Sequence, residues 1–303
     1  MAENTTTDGV RLVDWPALVA GIGFGIMWAT AFTSARVIVT HAPPFTALSL
    51  RFLAGGLIGI ALARALGQSW HLGRSQWRGV IIFAVFQFGG YLGLNFYAMQ
   101  TVEASLAAII ASSMPLLVAL AGWLVFGERL PTLGVAGLFA GMAGVALIMG
   151  TRVGGGADLF GVMLCVLAVG SLTVSTLAVR GASSGGDYLM VVGLQMMVGA
   201  AVLAVPALAL ERWEVDWSWP LVIAFVYTLL VPGLLATVTW VWLVNRIGAT
   251  RGAVFHFLTP FFGVATAALL LGEAIGAWDA LGVAVVAGGI LAVQLAKQKR
   301  AEG

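Results

Sequence analysis

The sequence predicts an all-α integral membrane protein whose ten transmembrane helices form two inverted repeats of five, with both termini in the cytoplasm. The first observation is composition: 60% of the 303 residues are apolar and 9% are charged, whereas soluble domains are near 25% charged. The second is that apolar runs of about 20 residues recur along the chain. The third is an internal repeat that aligns Pro115 with Pro260.

Ten apolar segments lie between charged or turn-rich breaks, as expected for membrane-spanning helices. They cover residues 15–39, 44–64, 79–100, 104–126, 132–150, 157–179, 187–210, 220–245, 249–271 and 277–296. Each run is continuous, whereas a transmembrane barrel needs strands of about 10 residues with alternating polarity. We therefore expect an N-terminal tail at 1–14, five helices in 15–150, a linker at 151–156, five helices in 157–296 and a basic tail at 297–303.

Lysine and arginine predict the orientation of these spans, because positive charge accumulates on the cytoplasmic side of a membrane. Three arginines, Arg36, Arg152 and Arg212, lie on the side opposite the N-terminus. The N-terminal side carries Arg11, Arg64, Arg74, Arg78, Arg129, Arg180, Arg246, Arg251, Lys297, Lys299 and Arg300. Both tails are therefore expected in the cytoplasm. The first residues lack the basic region of a signal peptide, so the first span is expected to be retained.

The internal repeat has a fixed offset and a shared motif. Pro115 aligns with Pro260, and the Gly-Glu pair at Glu128 aligns with the pair at Glu273. Each copy holds five spans, an odd number, so the second copy enters the membrane from the opposite side. Inverted repeats are typical of secondary transporters that bind solutes near the midplane and work by alternating access.

Four local motifs identify a family resemblance over residues 15–296. They are GIMWATAF with Trp28, LSLRFLAGG with Arg51, LNFYAMQ at the end of the third span, and the repeated block from Pro to Gly-Glu. The chain resembles the drug/metabolite transporter superfamily, EamA-type, and within it bacterial exporters of aromatic and other neutral amino acids that also carry methyl viologen. The resemblance implies a multi-pass protein of the bacterial cytoplasmic (inner) membrane. The second copy departs from the pattern, with Thr173 opposite Trp28 and Met196 opposite Arg51.

A polar stripe in the third span is a candidate substrate-binding surface. Gln87, Tyr91 and Asn95 are four residues apart and fall on one helical face. Their amides and phenol donate and accept hydrogen bonds without net charge, which suits a zwitterion. The alternative is that they bind neighbouring helices as interhelical contacts.

The fourth and ninth spans each contain a proline that frees a backbone carbonyl, because proline cannot donate to the residue four before it. Pro115 and Pro260 are therefore candidate kinks or gates, with Pro232 in the eighth span; simple packing kinks are the alternative. Freed carbonyls in lipid need a partner or a wet cavity. We expect Ser112, His256 and Thr259 to line such a cavity.

Aromatic residues away from the membrane interface extend the candidate path. Trp28, Tyr227 and Trp240 fit an apolar or aromatic substrate, and such rings also stack on cations. Trp240 aligns with Asn95 under the repeat, so both are predicted to point at one central space. Ser175 in the sixth span adds a hydroxyl, and core packing is the alternative role for any of the rings.

Three charged residues are predicted to be structural. Glu128 and Glu273 stand beside glycine just before the fifth and tenth spans, where helix dipoles favour a carboxylate. Arg51 lies several residues inside the second span, and arginine at depth costs about 2.5–3.5 kcal/mol on insertion scales. It needs an anionic partner, a watery pocket or an interfacial anchor; a substrate carboxylate is one option.

The predicted function is export of neutral, including aromatic, amino acids by alternating access. No aspartate or glutamate lies at mid-depth in a span, and His256 is the one intramembrane group that titrates near neutral pH. Transport is therefore expected to be facilitative or weakly coupled. The alternative is efflux of cationic or aromatic drugs by proton exchange; a channel and an intramembrane enzyme are less favoured.

The sequence predicts few partners beyond the substrate and the lipid bilayer. It lacks a nucleotide-binding loop and a metal-ligand cluster, and its basic residues are dispersed rather than clustered on a nucleic-acid surface. We therefore expect no cofactor, no metal, no nucleic acid and no catalytic residue. The chain is expected to work as a monomer.

Overall fold

A computed structural model describes residues 14–178, 187–248, 252 and 254–302 of the chain. Within these ranges every regular element is a helix and none is a strand. The prediction of an all-α protein is therefore confirmed for this part of the chain. The N-terminal tail before Asp14 and three arginines used for the orientation, Arg11, Arg180 and Arg251, lie outside the described residues.

Ten helical elements follow one another in the described part of the chain. They are α1 (Trp15–Val39), α2 (Pro44–Ala65), α3 (Arg74–Ala98), α4 (Ala104–Phe126), α5 (Thr132–Gly154), α6 (Leu159–Ala178), α7 (Tyr188–Leu210), α8 (219–247), α9 (Phe255–Leu271) and α10 (Ala277–Glu302). Nine of these elements are long and apolar enough to cross a membrane. The exception is α9, whose described part is a shorter apolar helix.

Two helices end at glycines whose backbone is left-handed. Gly127 follows α4 with φ 64° and Gly272 follows α9 with φ 70°. Side chains are strained in this region, so glycine is the residue that ends a helix this way at low cost. The repeated Gly-Glu motif therefore marks the end of the equivalent helix in each repeat.

The most extensive helix pairings join equivalent helices of the two repeats: α2 packs on α7, and α5 packs on α10. A Cβ added at Gly137 would lie 2.9 Å from the carbonyl oxygen of Gly289. A Cβ added at Gly144 would lie 3.2 Å from the carbonyl oxygen of Gly282. The repeat offset converts one glycine pair into the other, so the two copies meet around an approximate two-fold axis. Small residues permit this close approach in lipid.

The largest buried apolar cluster occupies the centre of the bundle. It contains residues of α1 to α7 together with parts of α8, α9 and α10, among them Phe52, Ile109 and Leu172. Large apolar side chains such as Leu124, Leu208 and Leu269 are exposed on the outside of the bundle. This arrangement is expected where lipid rather than water surrounds the helices.

Candidate functional site

Four aromatic rings from three elements form a cluster beside the middle of α1. This aromatic cluster consists of Phe24 and Trp28 on α1, Trp240 on α8 and His256 at the start of α9. The Trp240 centroid lies 5.1 Å from that of Phe24 and 5.3 Å from that of His256. The His256 ring lies edge-on to Trp28 at 6.0 Å. Three of the four residues were predicted from the sequence and lie together here.

Uncharged hydroxyl groups continue along α1 beyond the aromatic cluster. Thr30 Oγ1 lies 2.7 Å from the phenol oxygen of Tyr227 on α8. Two further pairs follow along α1: Thr33 pairs with Thr266 on α9 at 3.1 Å, and Ser34 accepts a hydrogen bond from Thr228 on α8 at 2.8 Å. We call these contacts the hydroxyl pairs. They place neutral donors and acceptors next to the rings, between α1 and the second repeat.

Two π-helical segments occupy equivalent positions in the two repeats. Ala84–Gly93 interrupts α3, and Leu229–Leu235, which contains Pro232, interrupts α8. Ala84 aligns with Leu229 under the repeat offset. A π-helical turn leaves the regular backbone ladder and is common at functional sites. The two segments therefore mark α3 and α8 as helices whose regular backbone hydrogen-bond pattern is interrupted.

The predicted polar stripe runs through the first π-helical segment and is buried against α6. Gln87 accepts a hydrogen bond from Ser175 of α6, with 3.1 Å between the two side-chain oxygens. The Asn95 amide nitrogen donates to the carbonyl of Tyr91 at 3.0 Å. The side-chain amide oxygen of Asn95, Oδ1, is buried and has no partner among the described residues. The structure therefore gives Gln87 an interhelical contact and leaves one acceptor of Asn95 unused.

The predicted prolines stand at breaks between helical segments rather than inside continuous helices. The first part of α4 ends at Ser112, and Pro115 lies in the first turn of the second part, Met114–Phe126. In α9 a 3-10 turn, Phe255–Leu258, precedes Pro260. Proline is well tolerated in a first turn, where its missing N–H has no intrahelical partner.

Hydroxyl groups lie beside these two breaks. Ser112 donates to the carbonyl of Ile109 at 2.6 Å, whereas the Thr259 hydroxyl is buried without a partner in the described part of the chain. A Cβ added at Gly263 would lie 2.6 Å from that of Ala108, so α4 and α9 nearly touch. The breaks of the two repeats thus belong to adjacent helices.

The glutamates of the two Gly-Glu motifs, Glu128 and Glu273, contact the chain close to helix ends. Glu273 accepts hydrogen bonds from the backbone N–H groups of Ala104 at 2.7 Å and Ser105 at 2.9 Å, at the start of α4. It therefore caps a helix of the other repeat rather than α10, which follows it. Glu128 lies with its carboxylate against Gly122, near the end of α4.

A cavity of about 590 Å³ opens at the end of the bundle where α3, α5 and α9 end, here called the distal end. Its charged lining is a network around Arg152, which binds Glu103 and, at 2.9 Å, Asp279. A second cavity of about 800 Å³ opens at the same end, with Glu211, Glu214 and Asp216 in its lining. These charged groups lie at the distal mouths, whereas the aromatic cluster and hydroxyl pairs consist of uncharged side chains.

The carboxylate of Asp158, in the lining of the first cavity, has a lowered pKa. Its main cause is a hydrogen bond from the Thr101 hydroxyl at 2.7 Å, and the N–H groups of Phe160 and Gly161 add to it. Because the pKa of Asp158 is lower in the folded chain than in the unfolded chain, the ionised carboxylate stabilises the fold. This stabilisation is fully present above the unfolded pKa of about 3.9 and is lost as the pH falls through the folded pKa.

We expect Thr101→Val to raise the pKa of Asp158, because it removes the strongest of these hydrogen bonds. Thr101→Val should then have a lower Tm at pH 7, and its Tm should fall less on acidification below about pH 4 than that of the wild type, measured by thermal unfolding in detergent between pH 3 and pH 7. Thr40→Val is the matched control, since the Thr40 hydroxyl bonds to carbonyls of its own helix. Identical acid profiles for the two variants would contradict the assignment.

Sequence reasoning missed the four members of the site that lie on α1 besides Trp28. Phe24 lies one turn before Trp28 and carries no polar signal in an apolar helix. Thr30, Thr33 and Ser34 recur at three- and four-residue spacing, the signal that they share one face. The structure does not bring Trp240 and Asn95 into contact: Trp240 packs in the aromatic cluster, and the Asn95 amide bonds to its own helix.

Comparison with known proteins assigns the chain to a family. The model of the EamA-like transporter family matches residues 15–150 and again 159–295. An uncharacterized transporter of Bacillus subtilis, YvbV, is 24% identical over 82% of this chain and 81% of its own. The aromatic amino acid exporter YddG of Ancylobacter novellus is 33% identical over 44% of this chain and 47% of its own.

A solved crystal structure has the same fold. It superposes with a TM-score of 0.66 at 22% identity and covers 92% of this chain and 98% of the other. The names of the relatives describe transporters, and the family model matches the chain twice, as the internal repeat predicts. The chain therefore belongs to the EamA-like transporter family and is a multi-pass helical membrane transporter with a duplicated domain.

Proposed function

We propose that this transporter exports neutral amino acids, including aromatic ones, from bacteria by alternating access. The observation that carries the proposal is that the aromatic cluster and the hydroxyl pairs both join α1 to α8 and α9 of the second repeat. Rings receive an apolar or aromatic side chain, and neutral hydroxyls exchange hydrogen bonds with a zwitterion without imposing a net charge. The partial match to an aromatic amino acid exporter supports the same substrate class.

The membrane arrangement belongs to this proposal. The chain crosses the bacterial cytoplasmic membrane ten times, with both termini in the cytoplasm, and works as a monomer. The distribution of lysine and arginine supports this orientation, which makes the distal end the outer face. The paired glycine contacts of α5 and α10 support two halves that rock about an approximate two-fold axis.

The substrate class is tested by counterflow in proteoliposomes that contain the full chain. Threonine, methionine, phenylalanine, tryptophan and methyl viologen are compared as labelled substrates. Saturable exchange of the amino acids supports the proposal. Exchange of methyl viologen alone would favour drug efflux, and an ohmic single-channel current would exclude a carrier.

We expect Trp240→Ala to lower exchange of phenylalanine and tryptophan about three- to tenfold relative to threonine, because an aromatic contact contributes about 0.5–1.5 kcal/mol beyond burial. Trp242→Ala is the matched control. The Trp242 ring is 40% exposed and stacks under Arg246, 5.1 Å away, outside the aromatic cluster. Equal loss in both variants would count against the cluster as the substrate site.

The proposed mechanism is facilitative or weakly coupled. Exchange should therefore proceed without an imposed proton gradient at constant internal and external pH. A strict requirement for the gradient that disappears in His256→Ala would instead establish proton exchange through that ring, because imidazole titrates near neutral pH.

A further inference from the structure

Arg51 is buried in the bundle, and the described part of the chain gives its guanidinium no acidic partner. Arg51 lies seven residues after Pro44, the first residue of α2, and hence about 10 Å along the helix. It is 8% exposed. The ion pairs found among the described residues do not include it. An unpaired buried cation is costly, so this position needs an explanation.

The surroundings of Arg51 are apolar. Its Cζ atom lies 4.6 Å from the centre of the Phe52 ring and 6.0 Å from that of Phe96. One turn along α2, a Cβ at Gly55 would lie 3.1 Å from the sulfur of Met196 on α7. Cation–π contacts with these rings offset part of the cost of removing the guanidinium from water, but they do not neutralise its charge.

Glu211, the acid at the end of the adjacent helix α7, already binds other groups. Glu211, which follows α7, accepts hydrogen bonds at 2.7 Å from the N–H groups of Phe45 and Thr46, and the Thr46 hydroxyl also donates to it. Both carboxylate oxygens are therefore used in capping α2. Glu211 therefore supplies an anion to the first turn of α2, whereas the ion pairs among the described residues supply none to Arg51 farther along the same helix.

We propose that Arg51 binds the carboxylate of the transported amino acid, so that a free carboxylate is required for efficient transport. This inference rests on the proposed function. A guanidinium presents parallel N–H donors that match the two oxygens of a carboxylate. Asn95, next to Phe96, carries a buried oxygen without a partner among the described residues, which fits the substrate ammonium. The two groups belong to neighbouring helices, α2 and α3.

The test compares L-phenylalanine with L-phenylalaninamide, which has no carboxylate. Counterflow is measured in proteoliposomes with the wild-type chain, Arg51→Met, Arg51→Lys and Arg64→Met. Methionine is the residue of the second repeat at this position, and Arg64 is an exposed arginine near the end of the same helix. A lost charged hydrogen bond corresponds to about a 10- to 100-fold change in KM.

The wild type should favour L-phenylalanine over the amide by about tenfold or more. Arg51→Met should raise KM for L-phenylalanine by that factor and leave exchange of the amide within about twofold, so that the preference disappears. Arg51→Lys should keep part of the preference, because it retains the charge, and Arg64→Met should behave as wild type. L-phenylalanine should raise the Tm of the wild type but not of Arg51→Met, while the unliganded Arg51→Met has an equal or higher Tm.

Three results would overturn the inference. Wild-type KM values in Arg51→Met would show that the carboxylate binds elsewhere. Equal loss of both substrates together with a lower Tm in Arg51→Met and Arg51→Lys would make Arg51 a packing residue. Failure of the wild type to exchange any amino acid would remove the proposed function itself, and that result is recognised before a variant is measured.

Discussion

Gly289→Ala is expected to lower the yield of monodisperse protein and its Tm in detergent. The added Cβ would lie 2.5 Å from the carbonyl oxygen of Gly137 and 2.7 Å from the Cα of Gly141. Both neighbours are backbone atoms of α5, so no side-chain rotation relieves the overlap and the two helices must separate. Overpacking of this kind costs about 1–3 kcal/mol, and here it falls on the interface between the repeats.

The control for this variant is its neighbour in the chain. A Cβ at Gly288 meets no atom within 4 Å, so Gly288→Ala adds the same methyl group without a clash. Alanine also has the higher helix propensity, and Gly288→Ala should therefore equal or exceed the wild type in Tm. Similar Tm values for the two variants, measured by fluorescence-detected size exclusion after heating, would refute the close contact.

The second large effect is expected from Glu273→Ala. The change removes two charge-assisted hydrogen bonds, to the N–H groups of Ala104 and Ser105, and leaves both donors at the start of α4 without their partner. A hydrogen bond to a charged group contributes about 1.5–3 kcal/mol. Because the bonds join the second repeat to the first, we expect a lower Tm and easier opening of the distal end.

Thermal unfolding and trypsin cleavage at the distal end measure these two effects. Glu273→Gln keeps one acceptor and should fall between Glu273→Ala and the wild type. Glu214→Ala, which removes an exposed acid at the same end of the bundle, is the control and should be neutral. A Glu273→Ala protein as stable as Glu214→Ala would show that the cap contributes nothing.

Much of the fold can be predicted from the sequence, because composition predicts the membrane helices and the internal repeat predicts the duplication. Continuous apolar runs predict membrane helices, and the offset between Pro115 and Pro260 predicts the duplication that the family model matches. The Gly-Glu motif also predicts an acid near a helix start. The sequence does not reveal that Glu273 caps α4, because the partner depends on how the repeats pack rather than on chain order.

The site is less visible in the sequence, for physical reasons. A threonine such as Thr30 bonds equally well to its own backbone and to another helix, and it does both here. Phe24 is one apolar residue among many, and its contact with Trp240 depends on how α8 packs against α1. The roles assigned to Asn95 and the other predicted site residues stay predictions until transport is measured.

The pairing of equivalent helices has a consequence for biosynthesis. During translation α2 is synthesised before α7, and α5 before α10. The helices α2 and α5 therefore enter the bilayer before the helices of the second repeat on which they pack. The glycine surface of α5 stays unfilled until the final helix inserts. Each five-helix half therefore lacks its most extensive helix pairings until the other half is present, and the first half is fully synthesised before those contacts can form.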